Sequence, residues 1–396
     1  PMFPGSVWMA DSTSLTDATA AYNAASAGGE TVYLPPGSST WATGLTLGKS
    51  LLRLTGAGSN STVINLSGTG GASQTQIAAN GIEIDNIAWI SPSGADQLNV
   101  AILAPFGGNW YRIHDCLFGH NMTRSGDGFG VVYKCAFYDT DRVGRCAGDL
   151  ASGQHYTSYF PWNSASTNFC VWEDCIFKTT AAFGTAASDF ISSQQGSIWM
   201  VRHCSADISK GRQDPFFDSH GGTTGTRGNI GVILASNRFT LTAGSSSDFL
   251  IDQRGGSALV YSNVVVGPCG GIRMRVAGPK STMDPQDEPY YFQNSGVEQI
   301  TNTYIWQNTI NGSDAPIVIG DGDPCACATI IDTDVITLNK SYFLNPPSTL
   351  LVPPYPFPGR HDALQSIAGG GGGGGGGAAG SFRGRIGRAN SVGGPP

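Results

Sequence analysis

Residues 189–206, DFISSQQGSIWMVRHCSA, and residues 248–266, DFLIDQRGGSALVYSNVVV, share one layout: strand, glycine corner, strand and polar slot, with one extra glycine in the later copy. Self-similarity of this kind predicts two coils of one stack. The slot recurs along the chain, at Asn86 in IDNIAWI, then Cys116, Cys135, Cys175, Cys204, Asn237, Asn263, Asn308 and Asn339. Uneven spacing between slots fits loops of different length inserted at fixed corners. Asn can bond to backbone at a bend and stack on the Asn of the next coil, and Cys fills a similar volume with less polar demand.

The runs flanking each slot, such as GVILAS, ALVYS and TYIWQ, are rich in β-branched and aromatic residues, too short for helices, and predict strands. Long excursions join equivalent strands, so they pair in parallel. A second column precedes the slots: FFDSH from Phe216, FLIDQR from Phe249, GIRMR from Gly271 and PIVIGD from Pro316. Alternation along a strand puts Asp218 with His220, Asp252 with Arg254, and Arg273 with Arg275 on one side each. In register, they form a polar stripe across adjacent coils.

Composition agrees. The 396 residues include 56 glycines and only 13% charged side chains, a β-rich, turn-rich balance that excludes a helix bundle. A net charge of −7 gives the main body no basic face for nucleic acid, and no apolar run is long enough to span a membrane. Nine cysteines cannot all pair within one chain, and the recurrent slot argues for stacked core thiols. Cys325 and Cys327 suit a loop disulfide or a crosslink to Cys269; a zinc site would need a second close pair.

The opening, DATAAYNAASAGGETVYLPPGSSTWATGLTLGKSLLRLTGAGSNSTVINL, resembles the entry coil of pectate-lyase-like right-handed parallel β-helix proteins. The resemblance runs to about Leu364. It implies an all-β solenoid over 31–364, preceded by an N-terminal segment and capping helix in 1–30. A helix from Ser14 to Ala27 would bring Leu15, Ala18, Ala21, Tyr22 and Ala25 onto the first coil's open end. The fold hosts lyases, hydrolases, viral adhesins and non-catalytic surface proteins, so it does not fix activity. The dense set of paired carboxylates expected for calcium and uronate binding in pectate lyases is missing from this sequence.

For an enzyme, the stripe Asp218, His220, Asp252, Arg254, Arg273 and Arg275 is the candidate catalytic site. A polysaccharide lyase needs cations against a uronate and a base for its C5 proton, with Arg254 or His220 in that role. A glycoside hydrolase would use two carboxyls from Asp214, Asp218 and Asp252. The competing reading is a ladder of Asp–Arg pairs on a solvated sheet face. No cofactor is expected; Asp321 and Asp323 could hold calcium, although an Asp-capped glycine turn is the commoner explanation for them. Trp89, Trp110, Trp199 and Trp306 read as packing residues rather than sugar platforms.

Residues 365–396 contain nine consecutive glycines, Gly369–Gly377, then Ser-Phe-Arg-Gly-Arg-Ile-Gly-Arg from Ser381. This composition predicts a flexible linker carrying a short basic peptide. Arg383, Arg385 and Arg388 would bind an acidic patch on a neighbouring subunit. Together these features predict a structural or adhesive β-helix that self-associates or joins other structural subunits and contacts polysaccharide. Its expected setting is extracellular or on a virus particle, with a secreted polysaccharide lyase or hydrolase as the alternative.

Overall fold

The computed structural model describes residues 5–26, 28–67, 75–92, 100–104, 110–120, 122–125, 130–139, 144–147, 169–179, 187–188, 190–194, 197–209, 212–219, 229–242, 245–275, 300–320 and 336–360. Three long sheets of 12, 11 and 10 strands run the length of the molecule. Within each sheet the strands follow sequence order, with neighbours one coil apart except for a closing antiparallel hairpin between Thr309–Ile310 and Ser313–Asp314, and the ladders between successive coils are parallel. That topology is a parallel β-helix. A coil visits the 10-stranded sheet first, then the 12-stranded, then the 11-stranded, as in Ile191–Gln194, Ile198–Arg202 and Ser205–Ile208.

The corner between the last two strands is two residues long. Its first residue adopts the left-handed region, at Asn86, Asp115, Lys134, Asp174, His203, Ser236, Ser262 and Gln307, with φ between 51° and 59°. One left-handed residue turns the chain sharply, and short polar side chains tolerate that region better than branched ones. The second corner residue points inward and forms the slot: Cys116, Cys135, Cys175, Cys204, Asn237, Asn263 and Asn308 are all buried.

Two of the expected slot residues are corrected. Asn86 occupies the left-handed position, and Ile87, fully buried, fills the slot of that coil. Asn is favoured at both corner positions, so the motif was matched one residue out of frame. Asn339 lies in a turn ahead of the strand Tyr342–Phe343, its N–H donating to the Tyr342 carbonyl (2.7 Å), and is exposed.

Inside the coils, Phe118 stacks on Phe137 (4.7 Å between centroids) and Phe216 on Phe239 (4.8 Å), with Phe177 and Phe190 between. Trp89 and Trp199 are fully buried in this core. Strand alternation sends every second residue inward, so aromatic residues repeated at one coil position meet face to face.

The N-terminal end comprises β1 (Val7–Met9), α1 (Leu15–Ala24) and β2 (Thr31–Leu34). Ser14 caps α1 by accepting from the Asp17 N–H (3.1 Å), and Ala18 and Ala21 are buried against the core. Lys49 Nζ donates to the carbonyls of Tyr22 (2.6 Å) and Asn23 (3.1 Å), placing a cation on the negative end of the helix. Among the described residues no helix is long and apolar enough to cross a membrane.

At the other end the chain leaves the last strand and runs back over the outer face of the 12-stranded sheet as far as Arg360. Phe357 is buried there with Val131, Val171, Met200, Ile233 and Leu259, and Leu350 and Val352 pack beside them. This return segment explains why outward-facing positions of that sheet are apolar in the later coils.

Candidate functional site

The stripe expected from the sequence assembles on the outer face of the 10-stranded sheet. Asp218 pairs in register with Asp252, and Asp252 with Arg273. Arg254 grips Asp218 with two nitrogens, Nε at 2.9 Å from Oδ1 and Nη2 on Oδ2. Arg273 does the same to Asp252, at 3.0 and 2.8 Å, and Arg275 adds its own Nε at 3.0 Å and Nη2 at 2.6 Å, both on Oδ2. The guanidinium of Arg273 also lies 4.2 Å above the ring of Phe249. His220 lies outside the described residues, as do Asp321, Asp323, Cys325, Cys327, the side chain of Asp214, and Arg383, Arg385 and Arg388.

The expected ladder face is not solvated. Asp218 is 5% and Asp252 1% exposed. Long guanidinium stems roof the carboxylates, so these pairs sit in a lower dielectric than a surface pair. Burial alone would raise the Asp252 pKa. Arg273, Arg275 and Arg254 outweigh it and hold the carboxyl below its usual range. Such a group carries no proton near neutrality and cannot serve as a general acid; its lone pairs are committed to guanidinium donors.

A second buried cluster, not anticipated from the sequence, lies on the outer face of the 12-stranded sheet. Successive coils place Arg53 beside Glu83 and Glu83 beside Arg112, with Thr55, Asp85 and His114 two residues on. Arg53 Nε lies 2.6 Å from Asp85 Oδ2 and 3.2 Å from Glu83 Oε1, and Arg112 Nη2 pairs with Glu83 Oε2. His114 Nδ1 donates to Asp115 (2.7 Å), and its Nε2 lies 3.5 Å from Glu83 and 3.8 Å from Asp85.

Burial disfavours the charged form of His114. The hydrogen bond to Asp115 and the nearby carboxylates of Glu83 and Asp85 overcome it, raising the pKa to about 9. Glu83, also pushed upward by burial, is held below its normal range by His114, Arg112 and Arg53. One ligand atom each from Glu83, Asp85 and His114 falls within a 4.8 Å set, the spacing of a metal site. The chemistry argues otherwise. Two guanidinium groups, from Arg53 and Arg112, already occupy these carboxylates, and an ion would have to displace them. The signal was present in the sequence as Arg53-Leu-Thr55, Glu83-Ile-Asp85 and Arg112-Ile-His114, but only the coil register brings those triplets side by side.

A third group fastens the return segment. Buried Glu173 accepts from Arg202 Nε (2.6 Å), Arg360 Nη1 (2.7 Å) and the Phe357 N–H (3.0 Å). Arg202 in turn donates to the carbonyls of Pro353 and Pro354, each at 2.6 Å. The hydroxyl of Tyr355 donates to Asp174 (3.0 Å), and its ring lies against His203. Burial first, and then the charge of Arg202, keep His203 below its ordinary pKa.

The buried thiols are unreactive by environment. Cys135 and Cys204 are pushed well above the normal thiol range by burial and by neighbouring cysteines. Cys269 is an unpaired thiol, raised to about 11 chiefly by burial.

No protein-family model and no curated protein matches the sequence. Among solved structures, the catalytic domain of a GH87 alpha-1,3-glucanase in complex with tetrasaccharides overlaps with 75% of this chain and 64% of its own, at 12% identity and a TM-score of 0.38. A superposition this loose decides neither the fold, which the strand pairing fixes by itself, nor any chemistry.

Proposed function

We propose that the protein is a non-catalytic structural or adhesive β-helix of an extracellular assembly or virus particle, contacting glycans along the arginine stripe. The observation that carries this reading is the commitment of Asp218 and Asp252 to three arginines, each engaging a carboxylate through both Nε and Nη2. Lyase or hydrolase chemistry requires a group free to take or give a proton, and both carboxylates of the described stripe have their oxygens engaged by guanidinium donors. What remains is a rigid face with three guanidinium groups to two carboxylates. In this reading α1 closes the N-terminal end of the stack, and the Gly-rich segment after it serves as a linker rather than as part of the body.

The experiment is a comparison of the natural protein with Arg254→Ala and Arg273→Ala on a panel of acidic and neutral polysaccharides. Binding without release of unsaturated or reducing ends is the expected result, with weaker binding in both variants. Release of either product by the natural protein would overturn the proposal.

A further inference from the structure

The 12-stranded sheet ends in a strand that is open on one side. β1 pairs with β2 in parallel, Val7 opposite Thr31 and Met9 opposite Tyr33. The Thr31 N–H donates to the Ser6 carbonyl and the Ala10 N–H to the Tyr33 carbonyl, both at 3.0 Å. In a parallel ladder alternate residues bond to alternate sides, so Val7 and Met9 turn their N–H and C=O groups away from β2. Their side chains are 60% and 67% exposed, and Trp8 is 37% exposed. Among the described residues no strand pairs with this edge. It also lacks the charge, proline or bulge that usually protects a sheet edge.

We propose that this edge is the docking site of the chain's own C-terminal peptide, Ser381–Arg388, which adds to β1 as a further strand. Three observations select this occupant. First, the peptide SFRGRIGR has a strand's alternation: extended, it puts Phe382 and Ile386 on one face and Arg383 and Arg385 on the other. An apolar, backbone-rich edge is met by a segment with an apolar face and free backbone groups, the β-augmentation mode of recognition.

Second, the charges are complementary. Residues 5–50 carry Asp11, Asp17 and Glu30 against Lys49, and Lys49 is engaged at the end of α1. Glu30 sits beside the edge, accepting from Trp8 Nε1 at 2.9 Å. The peptide brings Arg383, Arg385 and Arg388 and no acidic residue.

Third, the reach fits. The return segment carries the chain toward the N-terminal end, and Arg360 stands over Tyr133, 4.7 Å from its ring. From the strand holding Tyr133 to β1 is five steps of the sheet, or about 24 Å at the usual strand spacing. A glycine-rich chain of 20 residues, the number between Arg360 and Ser381, has a random-coil root-mean-square span of roughly 25 Å. A linker whose span matches the distance gives the highest effective concentration, so even a weak peptide contact is occupied. This redirects the tail from a neighbouring subunit to the molecule's own first coil.

The test is hydrogen exchange at residues 5–10 in the full chain, in a truncation lacking residues 369–396, and in a full-length Phe382→Asp, Ile386→Asp double variant. We expect exchange at this edge to be at least about fivefold faster in both altered proteins, with unchanged circular dichroism, because a strand occupied most of the time protects its partner's amides. In the natural protein the protection should survive a roughly hundredfold dilution, as a linked contact does. Equal exchange in all three proteins would overturn the proposal, as would protection that disappears on dilution.

Discussion

Two buried charge clusters sit on two faces of the same solenoid and differ in one component. The stripe on the 10-stranded sheet joins Asp218 and Asp252 to arginines alone, whereas the group around Glu83 and Asp85 includes His114. Arginine keeps its proton across the whole accessible pH range, so the first cluster changes only when its carboxylates are protonated. Imidazole does not, so the second cluster also changes on the alkaline side. A β-helix repeats position far more faithfully than it repeats chemistry, and the presence of one imidazole makes one face responsive to alkaline pH while the other is not.

The largest way to break this comparison is Asp252→Ala. It would remove the buried carboxylate that Arg273 and Arg275 share, and we expect a loss of about 3–5 kcal/mol, read as a shifted midpoint in denaturant unfolding. Next comes alkaline titration. The folded pKa of His114, about 9, lies above its ordinary 6.5, so its stabilisation is complete below pH 6.5 and disappears as pH rises through 9. The shift corresponds to at most about 3 kcal/mol. Stability measured from pH 6 to pH 10 should fall by a large part of that in the natural protein, and the fall should be much smaller in His114→Gln. Equal slopes would mean the imidazole is not charged in the fold.

On the acid side the two faces should behave alike. Glu83 and Asp252 both have depressed pKa values, so their contributions are present above the ordinary carboxylate pKa and are lost only as pH falls through the lowered ones. The smallest effect is expected from Arg254→Lys, which keeps the charge on Asp218 but loses the two-pronged geometry. A cost of about 1 kcal/mol, with weaker glycan binding and an unchanged alkaline slope, would separate fork geometry from charge.

The coil architecture was legible in the sequence because a helix of strands writes itself as a repeat: residues 189–206 and 248–266 do become coils of one stack, two apart. The slot was legible as well. Asn237, Asn263 and Asn308 form a ladder, Nδ2 to Oδ1 at 2.9 and 2.8 Å, while the earlier thiols pack in the same column against backbone carbonyls. Frame was harder. Asn86 fell one position early because the left-handed residue and the slot residue favour the same side chain, and Asn339 matched a motif that its backbone does not share.

The candidate stripe was found because its residues are two apart on strands next to recognisable slots. Its burial was not, since nothing local in DQR or RMR says that three arginine stems will close over two carboxylates. The Glu83–Asp85–His114 group went unseen for a different reason. It is spread over the triplets starting at Arg53, Glu83 and Arg112, about thirty residues apart, and only pairing across coils makes them neighbours. Glu173 and Arg202 were likewise invisible, because their partner is a segment that returns from more than 150 residues away.

That returning segment changes how the molecule bears load. With Glu173, Arg202 and Arg360 clamping the chain midway along the stack, a pull applied beyond residue 360 does not begin by peeling the final coil. It first strains a set of parallel hydrogen bonds and ion pairs that must yield together, a geometry that resists traction better than unzipping one rung at a time.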